Sequence, residues 1–163
     1  MSRRKVATPP DRAEASVKRL KTEKTLPFPV VALGASAGGL EALRTLLRHL
    51  KEPLQAALVV VTHLPADKTS RLAEVLCGFT SLPVREVQAV TPLESGVLYT
   101  VPSGHDLGIE GGVLRLLPSG HNLNYRIIDR FLDSLALDQG ANAVCVILSG
   151  SGTDGTNGAV TVE

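Results

Sequence analysis

From residue 30 onward, short continuous apolar runs alternate with amphipathic stretches. Val30–Leu33 reads as a buried strand and is followed by the Gly-rich turn Gly34–Gly39. Leu40–Leu50 then places Leu40, Leu43, Leu46, Leu47 and Leu50 on one helical face. Ala56–Thr62 is a second buried strand. A helix from about Ser70 to Gly78 turns Leu72, Val75 and Leu76 inward, and Pro83–Val87 reads as a third strand. The character then changes to shorter segments, Gly96–Val101, Asp106–Glu110 and Val113–Leu117. The last two are joined by Gly111-Gly112, a hairpin signal. Ile127–Ala136 has helical periodicity and Ala143–Leu148 is a further buried strand. After the Gly-rich stretch Gly150–Gly155 the chain ends at Glu163, part-way into an expected helix. Strands alternating with helices predict an α/β fold: a doubly wound, mostly parallel, Rossmann-like sheet in three αβα layers, with an antiparallel hairpin.

Composition fits that reading. Hydrophobic residues make up 44% of the chain and aromatics 3%, so the core is built from Val, Leu, Ile and Ala, as buried parallel strands prefer. Cys77 and Cys145 both sit in apolar surroundings and read as reduced, buried small hydrophobes. The net charge of +1 is unevenly spread. Residues 1–26 hold eight basic against three acidic side chains and read as a basic, disordered leader. The prolines at 27 and 29 close it, and a single domain is expected over 27–163. That domain is mildly acidic and has no aromatic-and-basic surface pattern, which argues against nucleic-acid binding. No apolar run reaches the roughly 18 residues of a membrane span, and no secretory segment opens the chain. A cytoplasmic protein without stable membrane insertion is the expectation.

In a doubly wound sheet the reactive site lies beyond the carboxyl ends of the strands. Three turns qualify, after Leu33, after Val61 and after Leu148. The first contains Ser36 within Gly34-Ala35-Ser36-Ala37-Gly38, a Gly-x-Ser-x-Gly pattern suited to a nucleophile on a tight strand-to-helix turn. A dinucleotide fingerprint would need glycine where Ser36 stands, and the acid expected at the end of the second strand is replaced by Thr62 and His63. The same turn also suits a simple helix cap or a phosphate cradle. His63 stands at the rim of a buried strand, an unusual place for a packing histidine. Asp154 supplies a carboxylate in the third turn, or caps the helix that follows it. Taken together they place a nucleophile, a base and an orienting acid at three neighbouring strand ends. The histidines and cysteines lack ligand spacing, so no metal or other cofactor is expected. His121, in a polar loop with Asn122 and Asn124, is a candidate substrate contact.

The three blocks GASAGGLEAL at 34–43, VTHLP at 61–65 and VILSGSGTDGT at 146–156 resemble the signature blocks of the CheB family of chemotaxis methylesterases. The intervening hairpin agrees as well. The resemblance covers residues 28–163 and implies hydrolysis of glutamate methyl esters on chemoreceptors, often with glutamine deamidation. It implies Ser36 as nucleophile, His63 as general base and Asp154 as the residue that orients the histidine. The backbone amides of Ala37 and Ser151, each beside one of these turns, are then the candidate oxyanion donors. The matching block 126–129 makes Arg126 and Asp129 part of a substrate loop with His121. The implied partner is a methyl-accepting chemoreceptor or related signalling protein, with a methyltransferase domain or protein as a further one. Three features depart from the family pattern. Many members carry threonine after the serine, but this chain has Ala37, as do forms fused to methyltransferase and sensor domains. Ile127 and Ile128 replace prolines usual in those fusions. The strand and helix with which members continue past position 163 are missing here, which leaves an inactive docking fragment as an alternative, beside a nucleotide- or phosphate-binding Rossmann-like domain.

Overall fold

The structure, a computed structural model, describes residues 25–36, 38–62, 71–118, 126–148 and 153–162. The strands are β1 (Val30–Ala35), β2 (Ala57–Thr62), β3 (Val84–Glu86), β4 (Val90–Pro92), β5 (Leu98–Thr100), β6 (His105–Glu110), β7 (Val113–Pro118) and β8 (Ala143–Ile147). The helices are α1 (Leu40–His49), α2 (Leu72–Cys77), α3 (Ile127–Gln139) and α4 (Thr156–Thr161). A five-stranded sheet runs in the order β3-β5-β2-β1-β8 and every pairing in it is parallel. A second, three-stranded sheet, β4-β7-β6, is antiparallel.

Strand periodicity sorts the side chains of the parallel sheet into two cores. Val30 and Ala32 of β1, Ala57, Val59 and Val61 of β2, and Tyr99 of β5 face one side. There they meet Ile128, Phe131, Leu132 and Leu135 of α3, together with Leu107, Ile109 and Leu114 of the antiparallel sheet. Leu33, Leu58, Val60 and Leu98 point the other way, against Leu43 and Leu47 of α1 and Leu76 of α2. The three layers are therefore α1 and α2, the parallel sheet, and α3 with the small antiparallel sheet.

The hairpin turn behaves as Gly-Gly requires. Gly111 and Gly112 have φ of 62° and 73°, the backbone of a mirror-image turn that side chains disfavour. Both amides are donated to the Asp138 carboxylate in the last turn of α3, which ties the hairpin to the helix. At the start of β6, the buried Asp106 accepts a hydrogen bond from Arg130 of α3 at 2.8 Å. Leu26, in the expected leader, donates its amide to Gln139 and accepts from the Asn142 side chain.

Several expectations change. The antiparallel element is a sheet rather than a lone hairpin, because β4 joins β7 through Val90↔Arg115 to Pro92↔Val113. Helix α3 continues beyond Ala136 to Gln139 and stops where Gly140 takes φ +51°. Leu40 and Val75 lie on the solvent sides of their helices, 44% and 41% exposed, so the inward faces are narrower than periodicity suggests. Cys77 is exposed and Cys145 half-buried, because Cys77 ends α2 and Cys145 lies on β8. Among the described residues β8 pairs only with β1, and its Val144 and Ile147 are 40% and 43% exposed.

Phe131 of α3 is fully buried against the sheet. Phe131→Ala should cost about 3–5 kcal/mol, seen as a lower urea midpoint with an unchanged denaturant slope. Asp106 gives a pH-dependent test. Burial pushes its carboxyl above the ordinary value, against the opposing pull of Arg130. The folded chain therefore holds this proton more tightly than the unfolded one, and stability falls as pH rises from about 4 through the folded pKa. Asp106→Asn should gain on the parent over that window; a parent that gains instead would show the Arg130 ion pair to dominate.

Candidate functional site

The carboxyl ends of β1, β2 and β8 lie side by side because the ladders run to the last residues of the strands. Ala35 is opposite Thr62, and Gly34 is opposite Ile147. Leu148 donates its amide to the Gly34 carbonyl at 2.8 Å, extending the second ladder by one step. Neighbouring strands are about 4.8 Å apart, so the segments that leave these three ends start from one narrow rim.

Ser36 is the first residue beyond β1. Its carbonyl accepts the Gly39 amide at 2.8 Å, closing the turn into α1. Its Oγ is buried and has no hydrogen-bond partner among the described residues. Buried hydroxyls are normally satisfied, so the side chain, unlike the carbonyl, takes no part in holding the turn among the described residues. Gly34, two residues earlier, is required by packing: a Cβ there would lie 2.8 Å from Ile128 Cγ2 and 2.9 Å from Ile147 Cδ1.

Asp154 sits in the turn before α4, and its carboxylate reaches across to α3. Oδ2 accepts the Ile128 amide and Oδ1 the Asp129 amide, both at 3.0 Å. It therefore caps α3, a helix that precedes it in sequence. Those donors belong to the otherwise unsatisfied first turn of α3, whose positive end favours a carboxylate. The following residue, Gly155, has φ +94°, and a Cβ there would meet the same two isoleucines, Ile147 Cδ1 at 2.9 Å and Ile128 Cγ2 at 3.0 Å. Ile128 and Ile147 thus pack on both Gly34 and Gly155, setting the separation of the serine turn from the aspartate turn.

Asp129 is expected in a substrate loop, but it lies inside the first turn of α3, 5% exposed. Its Oδ1 accepts the amides of Gly155 at 3.0 Å and Gly158 at 2.7 Å, and its Oδ2 accepts from Arg126 at 3.0 Å. Burial and engagement of both oxygens turn it toward α4 and away from solvent. Arg126 directly precedes α3 and its side chain is 41% exposed. His63, Ala37, Ser151 and His121 lie outside the described residues. A further polar atom belongs to this end of the sheet: Thr100, the last residue of β5, is fully buried with its Oγ1 unpartnered among the described residues. Nothing in its local sequence singles it out. The Asp129–Gly158 contact is equally silent in sequence, since it joins positions far apart in the chain. Among the described residues no group of three or more His, Cys, Asp or Glu could hold a metal ion, and no helix is long and apolar enough to cross a membrane.

Residues 31–163 match the family model for CheB methylesterase. The chain belongs to the CheB methylesterase family. A crystal structure of the Thermotoga maritima CheB methylesterase catalytic domain superposes with a TM-score of 0.76 at 32% identity, over 84% of this chain and 75% of that one. The fold is thus that of the CheB catalytic domain. A protein-glutamate methylesterase/protein-glutamine glutaminase from Xanthomonas oryzae is 40% identical over 135 residues, which are 79% of this chain and 37% of that protein. One of the same name from Oceanobacillus iheyensis is 30% identical over 148 residues, 88% of this chain and 42% of the relative. The chain therefore spans roughly two-fifths of these curated relatives.

The cap that Asp154 supplies to α3 has a readout in stability. Asp154→Ala strands two α3 amides and should destabilise the CheB-type domain by about 1–2 kcal/mol, read as a lowered urea midpoint.

Proposed function

We propose that this chain hydrolyses glutamate methyl esters on a methyl-accepting chemoreceptor or related signalling protein, and also deamidates glutamine side chains there. The observation that carries this reading is the buried Ser36 hydroxyl. It has no partner among the described residues and stands at the rim from which the segments carrying His63 and Asp154 also leave. The names of the relatives support the reaction class.

In this reading His63 takes the proton from Ser36 as Oγ attacks the ester carbonyl. The tetrahedral oxyanion is held by the backbone amides of Ala37 and Ser151, each worth about 3 kcal/mol to the transition state. Collapse breaks the acyl–oxygen bond, and His63 returns its proton to the departing methoxide, so methanol leaves. Water then enters by the same steps and releases the glutamate carboxylate and Ser36. With a glutamine substrate the leaving group is ammonia. Asp154, fixed by the α3 amides, orients the imidazole and stabilises its cationic form. His121 and Arg126 are assigned to substrate contact. No step needs a metal or cofactor. The reading also takes the protein to work in the cytoplasm, with a methyltransferase domain or protein as a further partner.

The competing dinucleotide reading has no specific observation behind it, since Ser36 occupies the position where pyrophosphate needs glycine. The test is methanol release from a methylated chemoreceptor fragment by the parent chain and by Ser36→Ala. The variant should lose on the order of 10⁴-fold or more in kcat while remaining folded. Equal turnover by both would remove the serine-hydrolase reading.

A further inference from the structure

We propose that Asp129 is a positioning residue: its carboxylate sets the orientation of Asp154. The inference rests on the serine-hydrolase reading and extends it to a residue that the resemblance assigns to substrate contact.

The two residues are bonded in both directions. The Asp129 amide donates to Asp154 Oδ1 at 3.0 Å, while the Gly155 amide, next to Asp154, donates to Asp129 Oδ1 at 3.0 Å. These two bonds close a ring through the backbone of both segments. A rotation of the Asp154 side chain breaks the first, and a rotation of the 154–155 peptide breaks the second. The ring is pinned on either side. Gly158 adds a second amide to Asp129 Oδ1 at 2.7 Å, and the Arg126 guanidinium holds Oδ2 at 3.0 Å. A Cβ at Gly158 would come within 2.8 Å of Asp129 Cα and 2.9 Å of its carbonyl oxygen, so α4 rests backbone-to-backbone on the first turn of α3.

A helix staple alone would not need this focus. Helix α4 has separate anchors further along: Thr161 Oγ1 donates to Asp133 at 2.9 Å, and Gly158 packs on Leu132. Removing the Asp129 carboxylate therefore frees the 154–155 turn more than it frees α4. Asparagine at 129 keeps an acceptor for Gly155 and Gly158 but lacks the anionic partner for Arg126.

The experiment measures methanol release from a methylated chemoreceptor fragment by the full chain, with thermal unfolding recorded in parallel. The variants are Ser36→Ala, Asp154→Ala, Asp129→Ala, Asp129→Asn and the double variant Asp129→Ala/Asp154→Ala. Displacing a reacting group by about 1 Å costs on the order of 10²-fold, so Asp129→Ala should lose about that in kcat, with KM little changed. Asp129→Asn should lose less. The acid limb of kcat/KM should move to lower pH in Asp129→Ala, because a displaced Asp154 stabilises the imidazolium less. In the double variant the Asp129 substitution should add nothing to the loss from Asp154→Ala, as expected for residues acting through one another. Should Asp129→Ala fail to fold, Asp129→Asn carries the same comparison against Asp154→Ala. An equal loss from the Asp129 substitution with and without Asp154 overturns the proposal, as does unaltered kcat in a folded Asp129→Ala. An inactive Ser36→Ala beside a fully active Asp129→Ala removes this proposal alone. An active Ser36→Ala removes the hydrolase reading and this proposal with it.

Discussion

Strand β1 is hydrogen-bonded on both flanks, to β2 from Val30↔Ala57 to Ala35↔Thr62 and to β8 from Val30↔Ala143 to Gly34↔Ile147. Because both ladders are parallel, the three strands finish on the same side. Because β1 is buried on both faces, their register cannot drift. A slip of one residue would exchange Ala32 with Leu33 between the two cores, inverting every side chain of the strand. The position of Ser36 is therefore a consequence of core packing three residues earlier. Gly34 and Gly155 add the lateral constraint: with no side chains of their own, they let Ile128 and Ile147 fill the space between the two turns.

The rim so defined brings the amino ends of α3 and α4 close together, an arrangement that electrostatics alone would oppose. Each end presents free amides and partial positive charge. The chain resolves this with two carboxylates exchanged between the helices: Asp154 accepts from α3, and Asp129 accepts from Gly155 and Gly158. Charge-assisted bonds of this kind are roughly twice as strong as neutral ones. They offset the desolvation of Asp129, which is nearly buried and also held by Arg126. The contrast with Asp106 is instructive. It too is buried and faces one arginine, but Oδ1 has no partner among the described residues and its carboxyl is pushed up by burial. Asp129 has two backbone amides on Oδ1, whereas Asp106 Oδ1 has none among the described residues.

Much of this was legible in sequence because it follows from local period. The continuous apolar runs of β1, β2 and β8 and the paired glycines at 111–112 each carry their own signal. The short β4 does not. Val90-Thr91-Pro92 contains a proline at a strand end and is largely exposed, so neither periodicity nor propensity marks it. Leu40 and Val75 have the right helical phase yet face solvent, because phase gives a direction and not the width of the layer it meets. Within the site, Ser36 and Asp154 could be singled out from strand ends and turn chemistry. The reciprocal capping could not. An acid near a helix start ordinarily suggests a cap for its own helix; that Asp129 and Asp154 each also accept amides of the other's helix follows from no local rule, because the segments are far apart in the chain.

That exchange also bears on how an orienting carboxylate can be fixed. Both oxygens of Asp154 accept an α3 amide, which fixes the direction of the carboxylate. Solvation by fixed amides needs no mobile water and does not have to reorganise when a cation forms beside it. If Asp154 orients the base as proposed, the amides that satisfy the α3 amino end also fix that acid, and the same atoms serve stability and chemistry. Substitution at Asp154 cannot separate the two roles, because it removes the cap and the orienting group together. Asp129, in the proposal above, reaches chemistry only through the position of the segment that carries Asp154, because its oxygens bind that segment and α4.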